Sequence, residues 1–254
     1  MNPIVTKLLP ALLVLAGFSG QSTAPERADV PFGIGERMTY EVKFSAISVG
    51  SGTMEVMGLD TVRGREAYHT AFRVKGGTFF YKVDDVFESW IATDDLSSLR
   101  FHKDQKEGSR NTKDRYEMYP DRRTYDDLLD DQGELPSVAK PLDDGSFLYF
   151  VRSVPLVTGR TYEFSRYFKP DRNPVIIRVL RRERVKVPAG EFDAVVVQPV
   201  IKARGIFSEN GRAEVWLSDD DRRIMLQMKS RLSIGSLNLY LKSYQAPTDT
   251  VATP

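Results

Sequence analysis

The chain has 254 residues, with 36 lysines and arginines against 35 acidic residues, and it contains no cysteine. This near-neutral balance argues against a nucleic-acid partner, because binding to phosphates requires a clear basic excess. Without cysteine the chain cannot form disulfides or be anchored through a lipidated N-terminal cysteine, so its stability must come from a packed apolar core.

Residues 1–24 have the layout of a secretory signal peptide. The cation Lys7 precedes an apolar run at residues 8–18, and small and polar residues follow up to Ala24. The run is shorter than the roughly 20 apolar residues that span a bilayer. We therefore predict an exported mature chain that is periplasmic or peripheral to the outer membrane, with the cleavage position left open.

Apolar and polar residues alternate through most of the remaining chain, a pattern typical of half-buried strands. Such runs occur at residues 40–44, 68–74, 162–164, 175–180, 185–187, 194–197, 215–217, 224–228 and 237–241. Turn-forming residues lie between them at 50–52, 76–77, 120–121, 188–190 and 219–221. This short spacing predicts an all-β, antiparallel fold, because parallel pairs need crossover connections of a dozen or more residues.

One short helix is predicted near the middle of the chain. Asp143 or Asp144 can cap it, Phe147 and Phe150 give it an apolar face, and Pro155 ends it. The rest of residues 25–245 contains no linker rich in Pro, Gly or Ser, so we predict a single β domain there. Residues 246–254 show no periodicity and are predicted to be a disordered tail.

Catalytic and metal-binding candidates are scarce. His69 and His102 lie far apart in the sequence, without acids at ligand spacing, so we interpret both as ordinary strand or loop residues. Asp84 and Asp85 lie near Trp90 and could serve a glycosidase as paired carboxylates, but acids are common near strand ends. We predict no catalytic, cofactor-binding or metal-binding residue and no cofactor, and we leave the ligand-binding residues unassigned.

Charged clusters allow two interpretations each. The acidic segments 126–134 and 219–221 could bind Ca²⁺, although solvated loops are favoured because neither has the spacing of an EF-hand. A basic cluster is formed by Arg178, Arg181, Arg182, Arg184 and Lys186. All but Arg181 would share one face of a strand, either as a stripe for anionic headgroups or polysaccharide, or, as we favour, as an outward face balanced by neighbouring acids.

Aromatic residues are frequent along the predicted strands, with 14 Phe, 11 Tyr and 2 Trp in the chain. Most should lie in the core, where aromatic side chains contribute large buried areas. A curved sheet with such a lining could also enclose an apolar hollow for an acyl chain. The sequence leaves both possibilities open.

Several motifs together resemble the exported bacterial family called domain of unknown function 3108, over about residues 31–243. They are FGIGERMTY at 32–40, ISVGSG at 47–52, VDD at 83–85, VKVPAGEF at 185–192, VWLSDD at 215–220 and IGSL at 234–237. The resemblance implies a Gram-negative envelope protein with one strongly curved antiparallel sheet, an open or partly closed barrel with little helix. It implies no activity or catalytic residue.

These observations favour a non-enzymatic periplasmic binding or assembly module of the cell envelope. Its expected partner is a lipid, a polysaccharide or another envelope protein, with no nucleic acid and no transmembrane helix in the mature chain. An envelope hydrolase is the first alternative, and an outer-membrane β-barrel is the second.

Overall fold

The structure is a computed structural model. It describes residues 27–77, 82–202, 213–231 and 236–248, with the side chain of Arg231 left out. The predicted signal peptide and the end of the predicted tail, residues 249–254, lie outside the described residues. The start of that tail is described: the backbone N–H of Thr248 donates to the carbonyl of Ile34 at 2.8 Å.

Fourteen strands form one sheet within the described residues, in which all neighbouring strands pair antiparallel, as predicted. They are β1 Arg37–Phe44, β2 Ile47–Val62, β3 Arg65–Gly77, β4 Lys82–Ala92, β5 Ser98–Glu107, β6 Arg110–Tyr119, β7 Thr124–Asp127, β8 Leu135–Pro136, β9 Thr161–Phe164, β10 Val175–Val187, β11 Gly190–Val200, β12 Glu214–Ser218, β13 Met225–Arg231 and β14 Ser236–Gln245. Because β14 pairs with β1, the two halves of the chain join side by side. The sheet is barrel-like but not closed, and β8 and β9 form its two edges.

The predicted helix is present as α1, Ser146–Ser153. The carboxylate of Asp143 accepts from the backbone N–H of Gly145 at 2.7 Å and of Ser146 at 2.8 Å. The Ser146 hydroxyl accepts from the Asp143 N–H at 2.8 Å, which completes a reciprocal capping arrangement. Asp143 also accepts hydrogen bonds from the hydroxyls of Ser89 and Ser98, so the start of α1 is fixed to β4 and β5.

Apolar side chains of α1 pack against one face of the sheet, which we call the inner face. Tyr40, Met54 and Phe101 lie on that face, and Phe147 and Tyr149 of α1 join the same core cluster. Each of these five residues is at most 2% exposed. The aromatic residues therefore fill the inner face around α1 rather than enclosing a hollow there.

Two of the predicted turns are wrong. Residues 50–52 lie inside β2 and residues 76–77 are the last two of β3, and Gly50 and Gly76 face each other as a cross-strand pair. A Cβ on Gly50 would lie 2.2 Å from the Lys75 carbonyl oxygen, so the strands approach too closely there for any other residue. The predicted turns at 120–121, 188–190 and 219–221 are confirmed, because each coincides with the connection between two neighbouring strands.

Candidate functional site

A cavity of about 210 Å³ opens on the inner face of β5 and β6. We call it the Lys169 pocket. Phe101 and Lys103 of β5 line it from one face because they are two residues apart on a strand. Tyr116 of β6 pairs with Phe101 and Asp114 pairs with Lys103, so the antiparallel register brings all four side chains to the cavity floor.

The segment that follows β9 covers this floor. A 3₁₀ turn at Pro170–Arg172 carries the second half of that segment, with Lys169 immediately before it. The Asn173 side chain accepts from the N–H of Tyr167 at 2.8 Å and donates to its carbonyl at 2.9 Å. These two hydrogen bonds hold the covering segment in a fixed loop above β5 and β6.

Lys169 lies among aromatic rings. Its ammonium nitrogen donates to the Tyr116 hydroxyl at 3.1 Å and lies 4.5 Å from the centre of that ring. The rings of Phe168 and Tyr125 are 5.2 and 5.7 Å away, so cation–π attraction supports the ammonium. Burial, followed by the neighbouring charge of Arg172, lowers the pKa of Lys169.

Arg172 lies on the same side of the pocket, against Tyr167. One guanidinium N–H donates to the Tyr167 hydroxyl at 3.4 Å, and that hydroxyl donates to the Asp144 carboxylate at 2.8 Å. Burial, and then the charge of Asp144, raises the pKa of Tyr167, so the hydroxyl stays protonated at neutral pH. Asp144 is thereby engaged by Tyr167 rather than by a cation.

The charges that line the pocket are unequal. Three cations, Lys103, Lys169 and Arg172, face two carboxylates, Asp114 and Asp144, which leaves a net charge of one positive unit. Lys103 is neutralised by Asp114 at 2.5 Å. Among the described residues, no carboxylate lies within the 4.0 Å ion-pair distance of Lys169 or Arg172. Within the described residues, the pocket therefore presents two cations whose nearest carboxylates act on them only from beyond ion-pair distance.

The two histidines lie elsewhere, on β3 and β5. His69 stacks on Trp90 with ring centres 4.2 Å apart, and His102 meets the same ring edge-on at 4.9 Å. His102 follows Phe101 and precedes Lys103, so it points to the opposite face of β5 from the pocket. Burial, followed by the charges of two nearby arginines, lowers the pKa of His102. Both histidines are strand residues that pack around a tryptophan.

The two neighbouring acids of β4 do not converge. Asp84 and Asp85 point to opposite faces of the strand because side chains alternate. Asp85 is buried and accepts from the N–H of Lys106 at 3.1 Å and the amide of Gln105 at 3.3 Å. Burial raises its pKa. This arrangement does not place two carboxylates on either side of one bond, as glycoside hydrolysis requires.

The predicted four-residue basic stripe on β10 is wrong. The register against β11 shifts between Val179 and Arg181, which marks a β-bulge. Arg178 consequently lies on the face opposite to Arg182 and Lys186. A bulge of this kind reverses the alternation of all residues that follow it, and the sequence pattern gave no sign of it.

Acidic partners neutralise most of this basic cluster, as the favoured interpretation expected, but the cations are divided between the two faces of β10. The ion pairs are Arg181 with Glu214 at 2.9 Å, Arg182 with Asp219 at 2.8 Å, and Arg184 and Lys186 with Glu191 at 3.6 and 3.4 Å. Their charges are thus compensated within the protein.

The acidic segments form local contacts. Asp220 accepts from the Ser218 hydroxyl at 2.6 Å and from the backbone N–H of Arg222 at 3.1 Å, and Glu134 accepts from the Thr124 hydroxyl at 2.5 Å. In the part of the chain that the structure describes, no group of three or more His, Asp or Glu residues is arranged to hold a metal ion.

The sequence analysis assigned no residue of this pocket to a site, and the cations Lys169 and Arg172 of its cover are the most informative residues that it missed. Both belong to the short segment 166–172, in which cations alternate with aromatic residues between two strands. A mixture of Arg, Tyr, Phe and Lys ending in a proline-containing turn is a signal that could have identified this segment. Its partners on β5 and β6 are distant in sequence and could not be inferred from it.

Comparisons with known proteins concern family and fold. The family described as "Protein of unknown function (DUF3108)" matches residues 39–242. A crystal structure of a β-barrel-like protein of domain of unknown function DUF1849 from Brucella abortus aligns with a TM-score of 0.55 at 11% identity, over 86% of this chain and 99% of that protein. No curated protein matches the chain.

A second solved structure is less similar. It is described as a candidate lipoprotein from Parabacteroides distasonis and has a TM-score of 0.38 at 11% identity, over 87% of this chain and 100% of that protein. At this level the similarity supports no argument, and the 11% identity of the Brucella protein supports the fold alone. Across the described residues, no helix is long and apolar enough to cross a bilayer.

Proposed function

The chain belongs to the DUF3108 family of proteins of unknown function, and we propose that this protein is an exported, non-enzymatic binding module of the cell envelope. The observation that carries this proposal is the Lys169 pocket. Its floor is built on two paired strands, and its cover is held by the hydrogen bonds of Asn173. Such a site is preformed, which lowers the entropic cost of binding.

The size of the pocket limits what it can hold. Its volume of about 210 Å³ is below the roughly 300–1,000 Å³ of pockets that enclose drug-sized ligands. It is several times the ~30 Å³ that one water molecule occupies in the liquid. A headgroup or a single sugar-sized unit fits this space, whereas a whole lipid does not. We therefore propose that the pocket holds the polar end of a lipid or one unit of a polysaccharide.

A binding role without catalysis is supported by the chemistry of the lining. Its residues are Phe, Tyr, Lys, Arg, Asp and Thr, without the His, Cys or Ser that most often act as base or nucleophile. The two histidines surround Trp90 instead. Asp114 and Asp144 are engaged by Lys103 and Tyr167, so neither is poised as a free general base.

Export is proposed from residues 1–24 alone. If the full chain is produced in a Gram-negative bacterium, we expect it in the periplasmic fraction with a mass that corresponds to loss of about 24 residues. Uncleaved protein in the cytoplasm would contradict export. The test of binding is native mass spectrometry of the same material, purified without detergent. A stoichiometric adduct supports the proposal, and a clean apo mass contradicts it.

A further inference from the structure

We propose that the ligand of the Lys169 pocket carries an oxyanion (a phosphate or a carboxylate on a sugar-sized group), which binds between Lys169 and Arg172. This inference rests on the proposed binding function and names its ligand class. Within the described residues, neither Lys169 nor Arg172 has a carboxylate within 4.0 Å.

Burial disfavours both cations, but interactions with Tyr167 and Asp144 raise the pKa of Arg172, so Lys169 is the cation that an anion would stabilise most. Burial removes water from Lys169, and the charge of Arg172 acts against its protonated form, which is why its pKa is lowered. The surrounding rings of Tyr116 and Phe168 offer cation–π attraction, and the Tyr116 hydroxyl accepts one hydrogen bond, but neither residue supplies a negative charge. An oxyanion between the two side chains would offset both the loss of water around Lys169 and its repulsion by Arg172.

The hydrogen-bond donors of the pocket suit such a group. The ammonium of Lys169 can only donate, so the Tyr116 oxygen accepts from it and the Tyr116 hydroxyl proton remains available for a ligand. Burial keeps this hydroxyl protonated by raising the pKa of Tyr116. Arg172 contributes a planar fork that matches phosphate and carboxylate geometry. Lys169, Tyr116 and Arg172 therefore all bring hydrogen-bond donors to the same cavity.

The carboxylates of the pocket define where the anion lies. Asp114 pairs with Lys103, and Asp144 accepts from Tyr167, so their charges act on Lys169 and Arg172 only from beyond ion-pair distance. Both repel an anion from their own ends of the cavity. The remaining volume, lined by Phe101 and Phe168, can take the uncharged part of a sugar-sized ligand.

The test is isothermal titration calorimetry at low ionic strength with the full chain as it is purified. The probes are glucose 6-phosphate, glucuronate and glucose, which share a sugar ring and differ in the oxyanion. We expect the two anionic probes to bind and glucose to bind at least tenfold more weakly. Binding of glucose 6-phosphate alone points to a phosphorylated headgroup, and binding of glucuronate alone points to an acidic polysaccharide. Either result supports the inference.

Substitutions in the pocket test whether the anionic probes bind there. The double variant Lys169→Gln, Arg172→Gln should bind the anionic probes at least tenfold more weakly. Lys169→Arg, which keeps the charge, should retain binding. The matched control Arg184→Gln, Lys186→Gln removes the same net charge from exposed positions and should leave the affinity unchanged. Thermal unfolding of each variant verifies that it is folded.

Three results would overturn the inference: failure of both anionic probes to bind, equal affinity for glucose, or unchanged affinity in the Lys169 and Arg172 double variant. These outcomes are distinguishable from failure of the proposed function. A stoichiometric neutral adduct in native mass spectrometry would preserve the binding function and remove the oxyanion. An apo mass together with silent calorimetry would contradict both.

Discussion

Replacement of Arg152 by methionine should destabilise the protein more than any surface change. Its guanidinium is fully buried and forms two hydrogen bonds with the Glu36 carboxylate, at 2.7 and 2.8 Å. It also donates to the backbone carbonyls of Pro31, Arg222 and Arg223 at 2.9 to 3.0 Å. One side chain thus connects α1 to the segment before β1 and to the turn between β12 and β13.

The expected loss of stability follows from the groups that the substitution leaves without a hydrogen-bond or ionic partner. Removing one partner of a buried ion pair costs about 3–5 kcal/mol, because the other charge stays buried without compensation. The carbonyls of Pro31, Arg222 and Arg223 also lose a donor, but these residues are half-buried or exposed, so water can replace part of what is lost. We expect Arg152→Met to lower the free energy of unfolding by about 5 kcal/mol. Domains are typically stable by only ~5–15 kcal/mol, so this loss is large.

Urea denaturation followed by circular dichroism measures this change. Adding Glu36→Leu to Arg152→Met should restore at least ~2 kcal/mol, because the orphaned carboxylate is removed. The control Arg184→Met breaks an exposed pair with Glu191 and should change stability by less than about 0.5 kcal/mol. If the free energy of unfolding of Arg152→Met lies within about 1 kcal/mol of the wild-type value, the reasoning is refuted.

Three further predictions concern pH and backbone packing. Burial raises the pKa of Asp143 to about 6 in the folded protein, so the associated stability is present at low pH and lost as the pH rises through about 6. The free energy of unfolding of the wild type should therefore be about 1 kcal/mol higher at pH 5 than at pH 7.5 in urea titrations. Asp143→Asn should abolish this difference, and parallel pH profiles of stability for the wild type and the variant would contradict the prediction. Gly50→Ala should lower the melting temperature by roughly 5 °C or more, whereas Gly58→Ala, where a Cβ meets nothing within 4 Å, should not; equal shifts would disprove the close-approach argument. His102 should titrate below 6.5 in NMR spectra, and a midpoint at or above this value would be inconsistent with its burial.

Local patterns predicted much of the fold. The helix was predicted because its cap at Asp143, its apolar face and the stop at Pro155 lie within a dozen residues. Most strands were predicted because alternation with period two is also local. The turns at Gly50 and Gly76 were wrong because these glycines serve a contact between two strands. Only the register of β2 against β3 shows that the two residues face each other.

The pocket could not be predicted for the same reason. Lys103 and Asp114 come together through the β5–β6 hairpin, but Lys169 and Arg172 reach them only through the long connection across α1 and β9. Their proximity depends on tertiary packing, in particular of the Phe168 ring against Tyr116 of β6 and Tyr125 of β7. The most conspicuous charged cluster in the sequence is instead that of the β10 cations, most of which are neutralised by neighbouring acids.

The most direct test of the proposed function compares ligand occupancy in the wild type and in the pocket variant. Wild type, Lys169→Gln with Arg172→Gln, and the Arg184→Gln, Lys186→Gln control would be purified from the periplasm without detergent and measured by native mass spectrometry. We predict one stoichiometric adduct on the wild type and the control, and its loss from the pocket variant. An adduct that persists in the pocket variant, or an apo mass for all three proteins, would contradict the account.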